Sequence, residues 1–174
     1  AEKIAKKYNF YLAGDYVFRV EGQKSLAYEI AEQLGWKAPD YVVCPMGCGT
    51  NISAIWKGFK ELKELNLIEN LPKLIGVQPQ GCNVIVKAFL AGKKNFDPLE
   101  KPNTVCTAIA AGNPLDGKKA LKALYESKGT VAEVTDESVL ELEQFLAKQE
   151  AIFVEPSGAL PIAAVDQLIK KKFF

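Results

Sequence analysis

The stretch Tyr41-Val42-Val43-Cys44-Pro45-Met46-Gly47-Cys48-Gly49-Thr50-Asn51 decides the fold class. Val42 and Val43 lie at the centre of an apolar run that predicts a short strand over 41–44. Pro45 to Asn51 carries the proline and glycines of a turn-rich loop. Beyond it, Ile52, Ile55, Trp56, Phe59 and Leu62 recur at spacings that predict a long amphipathic helix. Strand, glycine turn and helix in this order are a building block of parallel α/β sheets.

The same alternation extends in both directions. Upstream, Asn9 to Leu12 is a short apolar run, followed by an expected loop from Ala13 to Glu21. Lys24 to Leu34 sets Ala27, Ile30, Ala31 and Leu34 on one face, a helix stopped by Gly35. Downstream, strands are expected at Leu74–Val77, Thr130–Val134 and Ile152–Val154. Helices are expected at Val84–Leu90, at Lys118–Lys128 with Gly129 as the stop, from Thr135 to Gln149, and at Leu160–Lys172. Thr104 to Ala110 precedes a loop, Ala111 to Gly117, and Glu155 to Gly158 is read as a second loop. Thr135 is a suitable N-cap, with Asp136 and Glu137 favoured by the helix dipole. The fold expected is α/β: an open, three-layer, mostly parallel sheet with helices on both faces and right-handed crossovers.

Composition narrows the function classes. The 174 residues suit one domain, or two small ones at most. Lys+Arg is 22 against Asp+Glu 21, so there is no basic excess for nucleic acid or an anionic membrane. The chain has no histidine, which removes a histidine base and any His-bearing zinc site. No apolar run approaches the roughly 18 residues of a membrane span. Cys44, Cys48, Cys82 and Cys106 read as reduced thiols of a cytoplasmic protein. Their spacing contains no CxxC pair, so a metal site is not expected. The chain opens on Ala1, and its only methionine is Met46, which reads as a cut or processed end.

The strongest chemical signal is Gly47-Cys48-Gly49-Thr50-Asn51 between strand and helix. Two glycines allow a tight turn, and the helix behind points unpaired N–H groups and its positive dipole end at the same spot. Thr50 and Asn51 can add side-chain donors. A phosphate or carboxylate would sit well there; a turn that binds nothing fits the spacing equally. A Walker loop is excluded because no lysine follows the glycines. A dinucleotide fingerprint lacks its third glycine, where Ile52 stands, and its acidic residue, where Gln78 stands. Arg19 lies beside Glu21-Gly22-Gln23, where a guanidinium can grip an anion in bidentate fashion or simply face solvent. Glu155-Pro156-Ser157-Gly158 ends an expected strand, the side on which open α/β sheets bind ligands.

Taken together, these segments resemble threonine synthases. Phe18-Arg19-Val20-Glu21-Gly22-Gln23-Lys24-Ser25 is similar to their Arg-Leu-Glu-Gly-Gln-Lys-Thr segment. Pro45 to Ala54, followed by Ile55-Trp56-Lys57-Gly58-Phe59-Lys60, resembles their cofactor-phosphate loop and helix. Leu74-Ile75-Gly76-Val77-Gln78, Gly81-Cys82-Asn83, Thr107-Ala108-Ile109, Gly112-Asn113-Pro114 and Val154-Glu155-Pro156-Ser157-Gly158-Ala159 match further segments in order. The resemblance covers almost the whole chain. It implies the pyridoxal-phosphate fold shared with tryptophan synthase β subunits and threonine dehydratases. The reaction it implies is O-phospho-L-homoserine plus water giving L-threonine plus phosphate. Gly47, Cys48, Gly49, Thr50 and Asn51 would bind the phosphate of pyridoxal 5'-phosphate, and Arg19 the substrate phosphate. The lack of histidine fits a family in which a lysine anchors the cofactor and shuttles protons.

The departures carry their own implications. The family's Schiff-base lysine lies in a Ser-Phe-Lys-Asp-Arg stretch that these residues do not contain; Lys24 and Lys57 stand in other contexts. No catalytic residue is therefore assigned within the chain. Residues 1–174 are expected to form an incomplete cofactor-binding large domain, without the N-terminal lysine-bearing region, the small domain or the later Thr-Gly-His-Gly-like turn. Cys48 stands where members often have Asn, and Ala13 and Gly14 where they often have Asn-Ser. Such a piece would be inactive alone and would associate, as a homo-oligomer or with its missing half. A threonine dehydratase-like lyase and a non-catalytic anion-binding module remain as alternatives.

Overall fold

The computed structural model describes residues 2–11 and 17–174. Three strands, β1 (Tyr41–Pro45), β2 (Lys73–Pro79) and β3 (Thr130–Val134), form a parallel sheet in the order β1-β2-β3. Tyr41 pairs with Lys73 and Ile75 with Thr130. Side chains alternate across the sheet. Leu74 therefore joins one core with Cys44, Ile52, Phe59 and Leu124, while Ile75 and Val77 join a second with Val134, Val139 and Leu160. The first core is built by α3 (Ser25–Gln33), α4 (Thr50–Glu64), α5 (Val84–Leu90) and α6 (Gly117–Glu126). The second is built by α7 (Asp136–Gln149) and α8 (Pro156–Lys170). Both faces are covered, which is why β2 reads as an almost unbroken apolar run. The expected α/β architecture is what the chain adopts.

The chain differs from the sequence expectations at several places. Ala13 and Gly14 lie outside the described residues. The described end of the expected 13–21 loop is helical, α2 (Val17–Gln23), preceded by α1 (Glu2–Tyr8). Tertiary contact produces α2: it packs on α4, and Glu21 pairs with Lys57 and with Lys24 at 2.8 Å. Ile152–Val154 makes no strand. The Ile152 N–H turns back to the Leu146 carbonyl at 3.2 Å, at the end of α7, so it cannot join a ladder. Residues 156–158, expected as loop, open α8, because Pro156 suits a first helical position whose N–H would have no partner. At the end of α6, Lys128 takes the positive φ (52°) in place of Gly129; Gly129 is instead pressed against the Leu74 carbonyl, where a Cβ would come within 2.1 Å. Gly35 does stop α3, with φ 69°, and the Thr135 hydroxyl caps α7 by accepting from the Ser138 N–H at 3.2 Å.

Candidate anion-binding site

The carboxyl end of β1 delivers the chain at Pro45 into the loop 46–49, which enters α4. Gly49 sits before the helix with φ 87° and ψ −3°, and among the described residues no side chain caps the first turn of α4. That turn consequently keeps its unpaired N–H groups and the positive end of its dipole. They face a cleft of about 460 Å³ lined by Gly47, Cys48, Gly49, Thr50 and Asn51. Arg19 and Gln23, one turn apart on α2, line the same cleft with Leu26, and Ala108 and Ile109 complete it from the 3-10 turn Thr107–Ile109. The arginine and the glycine loop, 28 or more residues apart in sequence, are therefore brought to one cleft.

Both polar side chains of the loop have partners within the fold. The Thr50 hydroxyl is buried and donates to the Asp116 carboxylate at 2.7 Å. The Asn51 side-chain oxygen accepts from the Cys44 thiol at 3.2 Å. The Thr50 donor is thus spent on Asp116, whereas the bond of Asn51 engages only its oxygen, so the donors left to the loop are its backbone N–H groups and the Asn51 amide nitrogen. Cys48 is half-buried on the cleft wall, and its carbonyl accepts from the Asp116 N–H at 2.8 Å. Burial works to push the pKa of Asp116 up. Hydrogen bonds from Lys119 and Thr50, helped by the charges of Lys119 and Arg19, outweigh it and hold the carboxyl below its ordinary value. Cys44 is fully enclosed, and burial pushes its thiol up to about 12. Residues 155–158 do not line this cleft; the Glu155 carbonyl starts α8 by accepting from Gly158 and Ala159.

Sequence reasoning passed over Asp116, Gln23, Leu26, Ala108 and Ile109 as site residues. A signal for Asp116 was present. Asp immediately before a helix is a preferred N-cap, yet here its carboxylate takes Thr50 and Lys119 and makes no cap bond to its own helix, α6. Gln78, at the end of β2, is structural. It is wholly buried, donates to the Met46 carbonyl, and accepts from the Ile85 and Val86 N–H groups at the start of α5.

A strand-exit glycine loop that feeds an uncapped helix, with an arginine on the same cleft, has the geometry at which open α/β sheets can receive an anion. The chain belongs to the family of pyridoxal-phosphate dependent enzymes, whose model matches residues 1–174. It is 45% identical over 171 residues to the threonine synthase of Methanocaldococcus jannaschii, covering 98% of this chain and 42% of that protein. It is 47% identical over 152 residues to the threonine synthase of Methanosarcina acetivorans, covering 87% and 38%. The chain thus spans about two fifths of the length of these curated relatives. Among solved structures, a T.th. threonine deaminase superposes with a TM-score of 0.66 at 26% identity, over 85% of this chain and 52% of that one. The processed threonine deaminase isoform 2 of Solanum lycopersicum shares the fold, with a TM-score of 0.77 at 19% identity over 100% and 48%.

Proposed function

We propose that this chain is the cofactor-phosphate-binding part of a threonine synthase, the enzyme that converts O-phospho-L-homoserine and water to L-threonine and phosphate. The observation that carries the reading is the shared cleft of Arg19 and the uncapped N-terminus of α4. The residues fit the phosphate end of pyridoxal 5'-phosphate. A Cβ at Gly47 would lie 3.0 Å from the Ile109 Cα, and one at Gly49 would lie 2.8 Å from the Asp116 carbonyl oxygen, so glycine keeps the cradle open and tight. Gly47, Cys48, Gly49, Thr50 and Asn51 hold that phosphate through backbone N–H groups. Arg19 grips the phosphate of the substrate as a bidentate cation. When bound, pyridoxal phosphate supplies the electron sink that lets protons leave substrate carbons. Orienting the two phosphates fixes the reacting carbons against the cofactor, which is where a large share of the acceleration arises.

The lysine that anchors the cofactor lies, on this reading, in another part of the polypeptide, together with the small domain. The greater length of the threonine synthases supports that division. Exposed Phe10, Tyr11, Phe18 and Phe153 support association with that part or with further copies. Four unpaired thiols agree with a cytoplasmic enzyme.

The test is turnover by the full-length protein loaded with pyridoxal phosphate. O-phospho-L-homoserine should yield threonine and phosphate in equal amounts. The likeness to threonine deaminase favours one competing reading, a dehydratase. Faster production of a 2-oxo acid and ammonia from L-threonine than of threonine from the phosphorylated substrate would establish it. Phosphate binding without turnover of either substrate would leave a non-catalytic anion-binding module.

A further inference from the structure

We propose that Asp116 is the positioning residue of the anion-binding loop, holding the Cys48 carbonyl and the Thr50 side chain on its own side so that the loop's N–H groups face the bound phosphate. This rests on the reading of residues 47–51 as a phosphate cradle. Asp116 engages three successive residues of that loop from at least 66 positions away along the chain. Its N–H binds the Cys48 carbonyl at 2.8 Å. Its carbonyl oxygen lies against Gly49, so close that a Cβ there would approach to 2.8 Å. Its carboxylate receives the Thr50 hydroxyl at 2.7 Å. A carbonyl aimed into the cleft would repel phosphate oxygens; the Cys48 carbonyl is instead occupied by the Asp116 N–H, and the Thr50 hydroxyl, by donating to the carboxylate, ties the loop to the same residue.

The arrangement also handles the charge of the carboxylate. An anion beneath an anion site would weaken it by direct repulsion. Lys119 lies 2.6 Å from the other carboxylate oxygen and neutralises it locally. The Asp116 carbonyl starts α6 by accepting from the Ala120 N–H at 2.9 Å, so the loop is referenced to a second helix and to the core behind it. Asp116 does not line the cleft; it acts through the loop.

The test compares dissociation constants for pyridoxal phosphate and for pyridoxal, which lacks the phosphate, in the full-length protein. The variants are Asp116→Asn, Thr50→Val, the double variant and Thr50→Ser. Losing a charge-assisted hydrogen bond should weaken pyridoxal phosphate about tenfold in each of the first two. Pyridoxal affinity should be unchanged, the double variant should be no worse than either single, and Thr50→Ser should restore binding. Equal weakening of both ligands, or no change in either, overturns the proposal and reduces Asp116 to a fold-stabilising residue. Thermal melts of the near-isosteric Thr50→Val variant separate this from unfolding. A wild-type protein that binds pyridoxal as tightly as pyridoxal phosphate refutes the cradle itself, and the positioning role with it.

Discussion

Replacing Gly49 with alanine probes the loop at its tightest point. Two costs add. The backbone at φ 87° lies in the left-handed region, where a Cβ costs about 1–2 kcal/mol. The new methyl would also meet the Asp116 carbonyl oxygen at 2.8 Å and its carbon at 2.9 Å, with the Ala120 Cβ at 3.1 Å. The first two are backbone atoms that cannot swing aside, so an overpacking cost of about 1–3 kcal/mol follows. The sum is about 2–5 kcal/mol. Gly35 supplies the internal control. It has φ 69° with nothing within 4 Å of an added Cβ, so Gly35→Ala should cost only the conformational part, about 1–2 kcal/mol. Urea unfolding of the full-length protein, followed by tryptophan fluorescence, measures both. A 3 kcal/mol loss with a slope of about 2 kcal/mol/M lowers the midpoint by about 1.5 M. If Gly49→Ala is no more destabilising than Gly35→Ala, the close approach of Asp116 to the loop is wrong.

Other expectations concern separate parts of the chain. Gln78→Leu strands the Ile85 and Val86 N–H groups inside the core and should cost about 2–5 kcal/mol in the same unfolding assay, with faster amide exchange at those two residues. Arg19→Lys should raise KM for the phosphorylated substrate at least several-fold while leaving the dissociation constant of pyridoxal phosphate unchanged, because a lysine cannot reproduce the bidentate grip. The Cys44 thiol is raised to about 12 in the folded protein. The unfolded chain therefore loses this proton first as pH rises. The stability Cys44 contributes is fully present below about pH 9 and is lost between there and about 12. Cys44→Ala should flatten the alkaline end of a stability–pH curve, and native Cys44 should be alkylated far more slowly than half-buried Cys48.

The parallel sheet was legible because its strands are short apolar runs set between amphipathic helices. Of the four predicted strands, Thr130–Val134 coincides with β3, and those at 41–44 and 74–77 fall within β1 and β2. The glycine loop was legible for a local reason, since a strand, two glycines and a helix in sequence leave few alternatives. What failed was whatever depends on distant partners. Residues 17–23 hold no helical period of apolar residues, and α2 forms where α4 and the ion pairs of Glu21, Lys24, Lys57 and Glu61 receive it. Ile152 and Phe153 have the composition of a strand, but the Ile152 N–H is taken by α7 and both side chains are exposed. The partners of Thr50 and Asn51 were not legible for the same reason. Their hydrogen-bonding types were evident, but their partners, Asp116 and Cys44, are fixed only by packing.

The central claim is that the N–H groups of residues 47–51 hold the cofactor phosphate. A crystal structure of the full-length protein with pyridoxal phosphate bound tests it most directly. Phosphate oxygens within about 3 Å of backbone nitrogens at the start of α4, with the Cys48 carbonyl and the Thr50 hydroxyl still turned to Asp116, are the predicted result. A phosphate seated away from this loop, or a loop rearranged so that the Thr50–Asp116 bond is broken, would contradict it.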